Sequence, residues 1–183
     1  RSFCLSFELP GDAGVAAYVS FQLARQAVLL DAPDAGSLAD FFRSVEEARS
    51  GGQAYDVVAM SLVTMGPRAS EFAKELFEAN EYRDYLHWHG FSVESAEALA
   101  EMWHRRIREE LGIADKDGPT HKSIFQMHYQ GARYSFGYPA CPDLEEQTKM
   151  AALLQPARIG VELSDTFQWH PEQSTSAVVV HHP

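Results

Sequence analysis

Most of the familiar chemical signatures are missing from this sequence. It holds only two cysteines, Cys4 and Cys141, and they make neither a CxxC pair nor a disulfide framework. A reducing cytoplasm is the simplest setting for such a chain. No run of eighteen apolar residues occurs, so no membrane span is expected. Basic residues are scarce, 15 Lys and Arg against 26 Asp and Glu, for a net charge of −11. That balance argues against nucleic acid, whose binders concentrate cationic side chains. An acidic surface suits solubility or a basic partner. There is no GxGxxG, which excludes the Rossmann dinucleotide fingerprint, and no GxxxxGK[ST], GxSxG or HExxH. The chain opens on Arg1 without a charged-then-apolar leader, and reads as a piece of a longer or processed protein.

What is present fits one α+β domain over residues 1–183. Its 45% apolar content and 22% charged content are those of a globular core with a solvated surface. Ser2 to Leu9 and Val15 to Leu23 read as strands of a hairpin joined by a PGD turn, with a third apolar stretch near Ala27 to Leu30. Leu38, Phe41, Phe42 and Val45 recur at helical spacing within Gly36 to Val45. Tyr55 to Val63 is the best strand, apolar enough to be central. From Ser70 the period turns helical. After an expected loop near Gly90 comes the longest helix, Glu94 to Leu111, with Leu99, Met102, Trp103, Ile107 and Leu111 as its apolar stripe. Gly112 is its expected C-cap. Asp143 can cap a helix running to Leu154, and Ile159 to Leu163 and Ala177 to Val180 read as short strands. Strands, then helices, then strands favour a central antiparallel sheet flanked by helices.

Histidine is common, with eight residues, but its spacing does not suit a metal. His87 and His89 fall on different helix faces, and His181 and His182 point oppositely along a strand. Zinc is therefore not expected, and these read as surface histidines. Cys141 admits two readings. Ahead of a helix start it can be an activated nucleophile, or it is a small buried hydrophobe. Glu97, Glu101, His104 and Arg108 share one side of the long helix. They are either a solvated charged face or a polar wall along a groove. Arg133 precedes the aromatic loop Tyr134, Phe136 and Tyr138. It is either a solvated arginine beside core aromatics or a carboxylate-binding fork beside flat faces for a heterocycle.

The segment HYQGARYSFGYPACPD, residues 128–143, closely resembles the signature YxGIRPAPGYPACPxH of the activation domain of cobalamin-dependent methionine synthase. Three more segments agree in order: LADFF at 38–42, LAEMWHRRIREE at 99–110, and IGVELSDTFQWHPEQSTSAVVVHHP at 159–183. The resemblance implies a curved α+β domain that binds S-adenosylmethionine. It implies that the domain supports reductive methylation of cob(II)alamin to methylcobalamin. The cobalamin is held by a neighbouring domain, and flavodoxin or another reductase supplies an electron. By matched position, Arg133 meets the ligand's carboxylate, the Tyr134 backbone meets the adenine, and Glu97 and Tyr138 contact the ligand. Tyr138, Pro139, Ala140 and His170 would face the corrin. The family has proline where Tyr134 stands, and its MWP becomes Trp169-His170-Pro171. Two other classes remain open: a docking module that keeps the fold without the ligand, and an unrelated enzyme that uses Cys141.

Overall fold

The computed structural model describes Leu38, Phe42, Ser50, Gly51 and residues 57–181. The hairpin and the third apolar stretch expected before residue 31 lie outside the described residues. So does the helix expected over Gly36 to Val45, apart from Leu38 and Phe42.

Strand β1 is Ala59–Thr64 and helix α1 is Pro67–Glu78. Between them Gly66 bends the chain, and its N–H donates to Thr64 Oγ1 at 2.9 Å. Pro67 suits the first helical turn, where its missing N–H leaves no bond unmade. Helix α2 runs without a break through Tyr82–Glu110, 29 residues. The loop expected at Gly90 does not form. One glycine inside a helix costs only about 1 kcal/mol, and the packing of α2 outweighs it. Gly112, at φ +71°, ends the helix as expected. Its N–H donates to Glu109 O and the next N–H, of Ile113, donates to Arg108 O. These two bonds are the Schellman closure that a left-handed residue permits.

The remaining elements are α3 His121–Phe125, β2 Ala132–Tyr134, α4 Gln147–Leu154, β3 Glu162–Leu163, β4 Trp169–His170 and β5 Ser174–Val180. Asp143 does cap, accepting from Glu145 N at 2.9 Å, but it opens a 3-10 turn that leads into α4. The stretch expected as a strand from Ile159 is half turn: Pro156–Ile159 is 3-10, and only Glu162–Leu163 is extended.

The main sheet is antiparallel in the order β1, β5, β2. The central strand among the described residues is therefore β5, not the Tyr55 to Val63 stretch, which contributes to β1 from Ala59. The sequence SAVVV in β5 is buried on both faces, as a central strand has to be. A glycine lets β2 reach it. Gly131 has φ +87°, and a side-chain carbon there would stand 2.7 Å from the Val180 carbonyl oxygen.

The two sheet faces differ. On one, Tyr134, Val178 and Met60 lie in register. They join Phe136, Cys141 and Met150, with Leu144 and Trp169 at the margin, in the apolar core. On the other, Arg133, Val179 and Ala59 lie in register. This face meets α2, whose buried row is Ser92, Ala96 and Ala100, continued by His104 and Arg108. Small side chains let the helix backbone come close to the sheet. The large stripe expected to be buried is not: Met102 and Trp103 are exposed, and Leu99 and Ile107 are half-buried.

Candidate functional site

The charged groups on the α2 face are not scattered, and only the outermost, Glu97, is widely solvated. Arg108 has an exposure of 0% although it is a charged residue near a helix end. Its Nε and Nη2 donate to Asp117 Oδ1 and Oδ2 at 2.9 and 2.8 Å, a two-pronged pair. Its guanidinium carbon lies 4.1 Å from the centre of the Tyr129 ring. Its Nη1 faces Glu101 Oε1 at 3.7 Å. The other Glu101 oxygen faces Arg133 Nε, also at 3.7 Å. Arg133 Nη2 then donates to Glu97 Oε2 at 3.1 Å. The result is a chain of alternating charge, Asp117 to Arg108 to Glu101 to Arg133 to Glu97. It runs from a buried end to an open one, where Glu97 is 49% exposed.

The reading of Glu101, His104 and Arg108 as a solvated face is thereby corrected. Arg108 is wholly enclosed and His104 nearly so, because Tyr129 and Asp117, from the chain that follows the helix, pack against this end of α2. The spacing puts Glu97, Glu101, His104 and Arg108 on one side of the helix, but it does not show that this side is covered. The His104 ring meets Tyr129 edge-on at 5.2 Å, and neither ring nitrogen has a hydrogen-bond partner. Burial, then the nearby charges of Arg108 and Arg133, hold its pKa down to about 4, against a smaller opposing pull from Asp117. The ring is neutral at pH 7.

Tyr134 follows Arg133 and so points to the opposite face, into the apolar core. Burial raises the pKa of its hydroxyl. Beyond it the loop closes on itself. Gly137 N–H donates to Cys141 O at 2.8 Å and Cys141 N–H to Tyr138 O at 2.9 Å. Ser135 Oγ ties the loop to β5 by donating to Ser176 O at 2.7 Å. Tyr138 and Pro139 are presented outward, Tyr138 strongly, whereas Ala140 and Cys141 turn into the core. His170 is exposed on the β3–β4 hairpin. Next to the loop lies an open cleft of about 310 Å³, walled by Tyr138, Phe136, Leu144 and Trp169, with Gln168 and Glu172 at its rim. Trp169 is fixed there, its Nε1 donating to Ser176 Oγ at 2.9 Å.

Cys141 does not suit nucleophilic work. It is 2% exposed, and burial, helped by the charge of Glu146, pushes its thiol up to about 11. An activated cysteine needs the opposite shift. The structure thus brings Arg133 and Glu97 together, sets Tyr138 at the outer edge of the loop, and leaves Cys141 inside the core. Among the described residues no three histidine, cysteine or acidic side chains are grouped to hold a metal ion.

Comparison with known proteins places the chain in a family. The family model described as "Vitamin B12 dependent methionine synthase, activation domain" matches residues 12–183. The methionine synthase of Mycobacterium tuberculosis (strain ATCC 25618 / H37Rv) is 55% identical over 152 residues, 80% of this chain and 13% of that protein. The methionine synthase of Mycobacterium leprae (strain TN) is 51% identical over 152 residues, 80% of this chain and 12% of that protein. The chain spans only a small part of the length of these relatives. A solved structure described as "Crystal Structure of the MetH Reactivation Domain bound to AdoHcy" superposes with a TM-score of 0.83 at 25% identity. It covers 97% of this chain and 54% of its own.

Proposed function

The chain belongs to the family of vitamin B12 dependent methionine synthase activation domains, and on that premise we propose that it binds S-adenosylmethionine. The observation that carries this reading is the Arg133–Glu97 pair, 3.1 Å apart at the open end of the charge chain. An α-amino acid end group carries a carboxylate and an ammonium a few ångströms apart. A cation and an anion side by side on the protein present the matching pattern. Arg133 offers a planar fork to the carboxylate, and Glu97 offers an acceptor to the ammonium. Each protein charge exchanges its present partner for one on the ligand, so neither is left bare. Tyr134 supplies backbone beside the adenine, and Tyr138 supplies an aromatic face at the loop's edge.

The larger role follows from the reaction class. The methyl group leaves sulfur for the reduced cobalt of a cobalamin carried by a neighbouring domain. The carbon–sulfur bond breaks with its electron pair on sulfur, leaving S-adenosylhomocysteine. One electron from flavodoxin or another reductase first brings cob(II)alamin to the reactive state, and methylcobalamin is restored. Such a displacement asks no proton transfer of the protein. The residues of this chain contribute orientation and exclusion of water. A loop tied by its own backbone bonds and to β5 suits that task better than a mobile one. Tyr138, in the wall of the cleft, and the exposed Pro139 and His170 form the surface we assign to the corrin. The setting we assign to the whole is a cytoplasmic methionine synthase.

Titration calorimetry of S-adenosylmethionine and S-adenosylhomocysteine into the chain tests the reading. Saturable binding of both is expected. Arg133→Ala is expected to weaken it by about a hundredfold, the usual cost of removing one partner of a charged contact, with little change in thermal stability. Absence of binding by the unaltered chain would point instead to a docking module.

A further inference from the structure

We propose that Glu101 is the positioning residue of the site, holding the Arg133 guanidinium in register for a ligand carboxylate. The inference rests on the reading of Arg133 as the carboxylate contact. It begins from the weakness of the backbone support. Arg133 sits in a strand of three residues at the sheet edge, paired with β5 alone among the described residues. A long flexible side chain on so short a strand needs a second restraint. Two carboxylates face it, and they are unequal. Glu97 is 49% exposed and lies at the outer nitrogen, Nη2. Glu101 is half as exposed, at 24%, and lies at the inner nitrogen, Nε.

An incoming carboxylate competes with Glu97 for the outer edge of the fork. It leaves the inner edge to Glu101. Glu101 is itself anchored, since its second oxygen faces Arg108, which is locked by Asp117 and stacked on Tyr129. Without the Glu101 charge, two guanidinium groups would face each other across the gap it fills. Arg133 would then swing outward, away from Arg108. Glu97 is thus the partner that exchanges, and Glu101 the partner that stays. The sequence motif AEMWHRRIR carries both Glu101 and Arg108, and the methyl-transfer chemistry uses neither.

The test uses Glu101→Gln in the whole 183-residue chain, with two readouts. The first is the nitrogen-15 NMR signal of the Arg133 Nε–H, assigned by its absence in Arg133→Ala. The second is S-adenosylhomocysteine affinity by calorimetry. In the unaltered chain the Nε–H signal is expected to exchange slowly with water. In Glu101→Gln it is expected to be lost to fast exchange, and the affinity to fall by about tenfold. Glu101→Asp, which keeps the charge, is expected to recover most of both. Unchanged exchange in Glu101→Gln would overturn the proposal. So would lost protection with unchanged affinity, which would leave Glu101 as a structural partner only. If the unaltered chain binds no S-adenosylhomocysteine, the ligand reading fails. The exchange measurement then still decides whether Glu101 holds Arg133.

Discussion

Arg133 and Tyr134 are neighbours in the chain and belong to different worlds. Tyr134 faces an apolar cluster of Val178, Met150, Phe136 and Cys141, where contacts are non-directional. Arg133 faces α2, where Glu97 and Glu101 each meet it in a fixed direction. Strand alternation alone separates them. Repacking one face is expected to leave the Arg133–Glu97 pair in place, and recharging the other to leave the core closed. The two faces therefore fail differently, and substitutions on each can show it.

The largest stability loss is expected on the charged face. Arg108→Ala removes a fully enclosed guanidinium and leaves Asp117 and Glu101 facing each other without a cation between them. Breaking a buried pair from one side costs about 3–5 kcal/mol. Urea denaturation of the variant should show a loss of that size. On the apolar face Met150→Ala empties a site with 0% exposure. A cavity left by a methionine costs about 2–5 kcal/mol, depending on how far the walls relax. The ligand affinity of the folded fraction should not change. Reduced affinity in Met150→Ala at temperatures where it is fully folded would break the separation of the two faces.

How far the sequence discloses these faces depends on the kind of signal. Size and hydrophobicity mark the apolar face well, and the GYPACP segment identifies the loop through its resemblance to a family. The α2 face is hidden for a physical reason. Its contact row of Ser92, Ala96 and Ala100 works by being small, so a search for large apolar residues selects Met102 and Trp103, which are exposed. The burial of His104 and Arg108 depends on Asp117 and Tyr129 arriving from the following loop, which helical periodicity cannot register. Gly90 misleads because propensity is a local quantity and the 29-residue helix is fixed by what it packs against. The sheet order was out of reach for a similar reason. Both β1 and β5 read as apolar runs, and only pairing reveals that β5 has a partner on each side.

Acid should separate the faces more gently than truncation. His104 titrates at about 4 when folded, against about 6.5 for an unperturbed histidine. Because the folded value lies below the unfolded one, the unfolded chain binds the extra proton between those two pH values. The stabilisation is complete above about pH 6.5 and is lost as pH falls towards 4, at up to about 1.4 kcal/mol per pH unit. His104→Gln should flatten that limb of the stability curve. No group of the apolar cluster titrates in this window, so a Met150→Ala variant should keep the same limb displaced to lower stability. Parallel curves for Met150→Ala and a flattened one for His104→Gln would place the acid response on the α2 face.

The smallest effect is expected at Cys141, which sits in the loop but belongs to the core. A thiol with its pKa pushed up to about 11 is almost entirely protonated at pH 8. It is enclosed by Phe136, Met150 and Val178, so iodoacetamide should modify it only as fast as the chain opens. Cys141→Ser exchanges a weakly polar sulfur for a hydroxyl that wants a hydrogen bond. The cost should be about 1–3 kcal/mol if none is found, less than that of Arg108→Ala. S-adenosylhomocysteine affinity should stay within about twofold, because no step of the proposed methyl transfer calls for a thiolate. Fast labelling in the folded state would remove Cys141 from the apolar face and return it to the site. A loss of affinity without a loss of stability would do the same, since the loop would then be binding through its buried side.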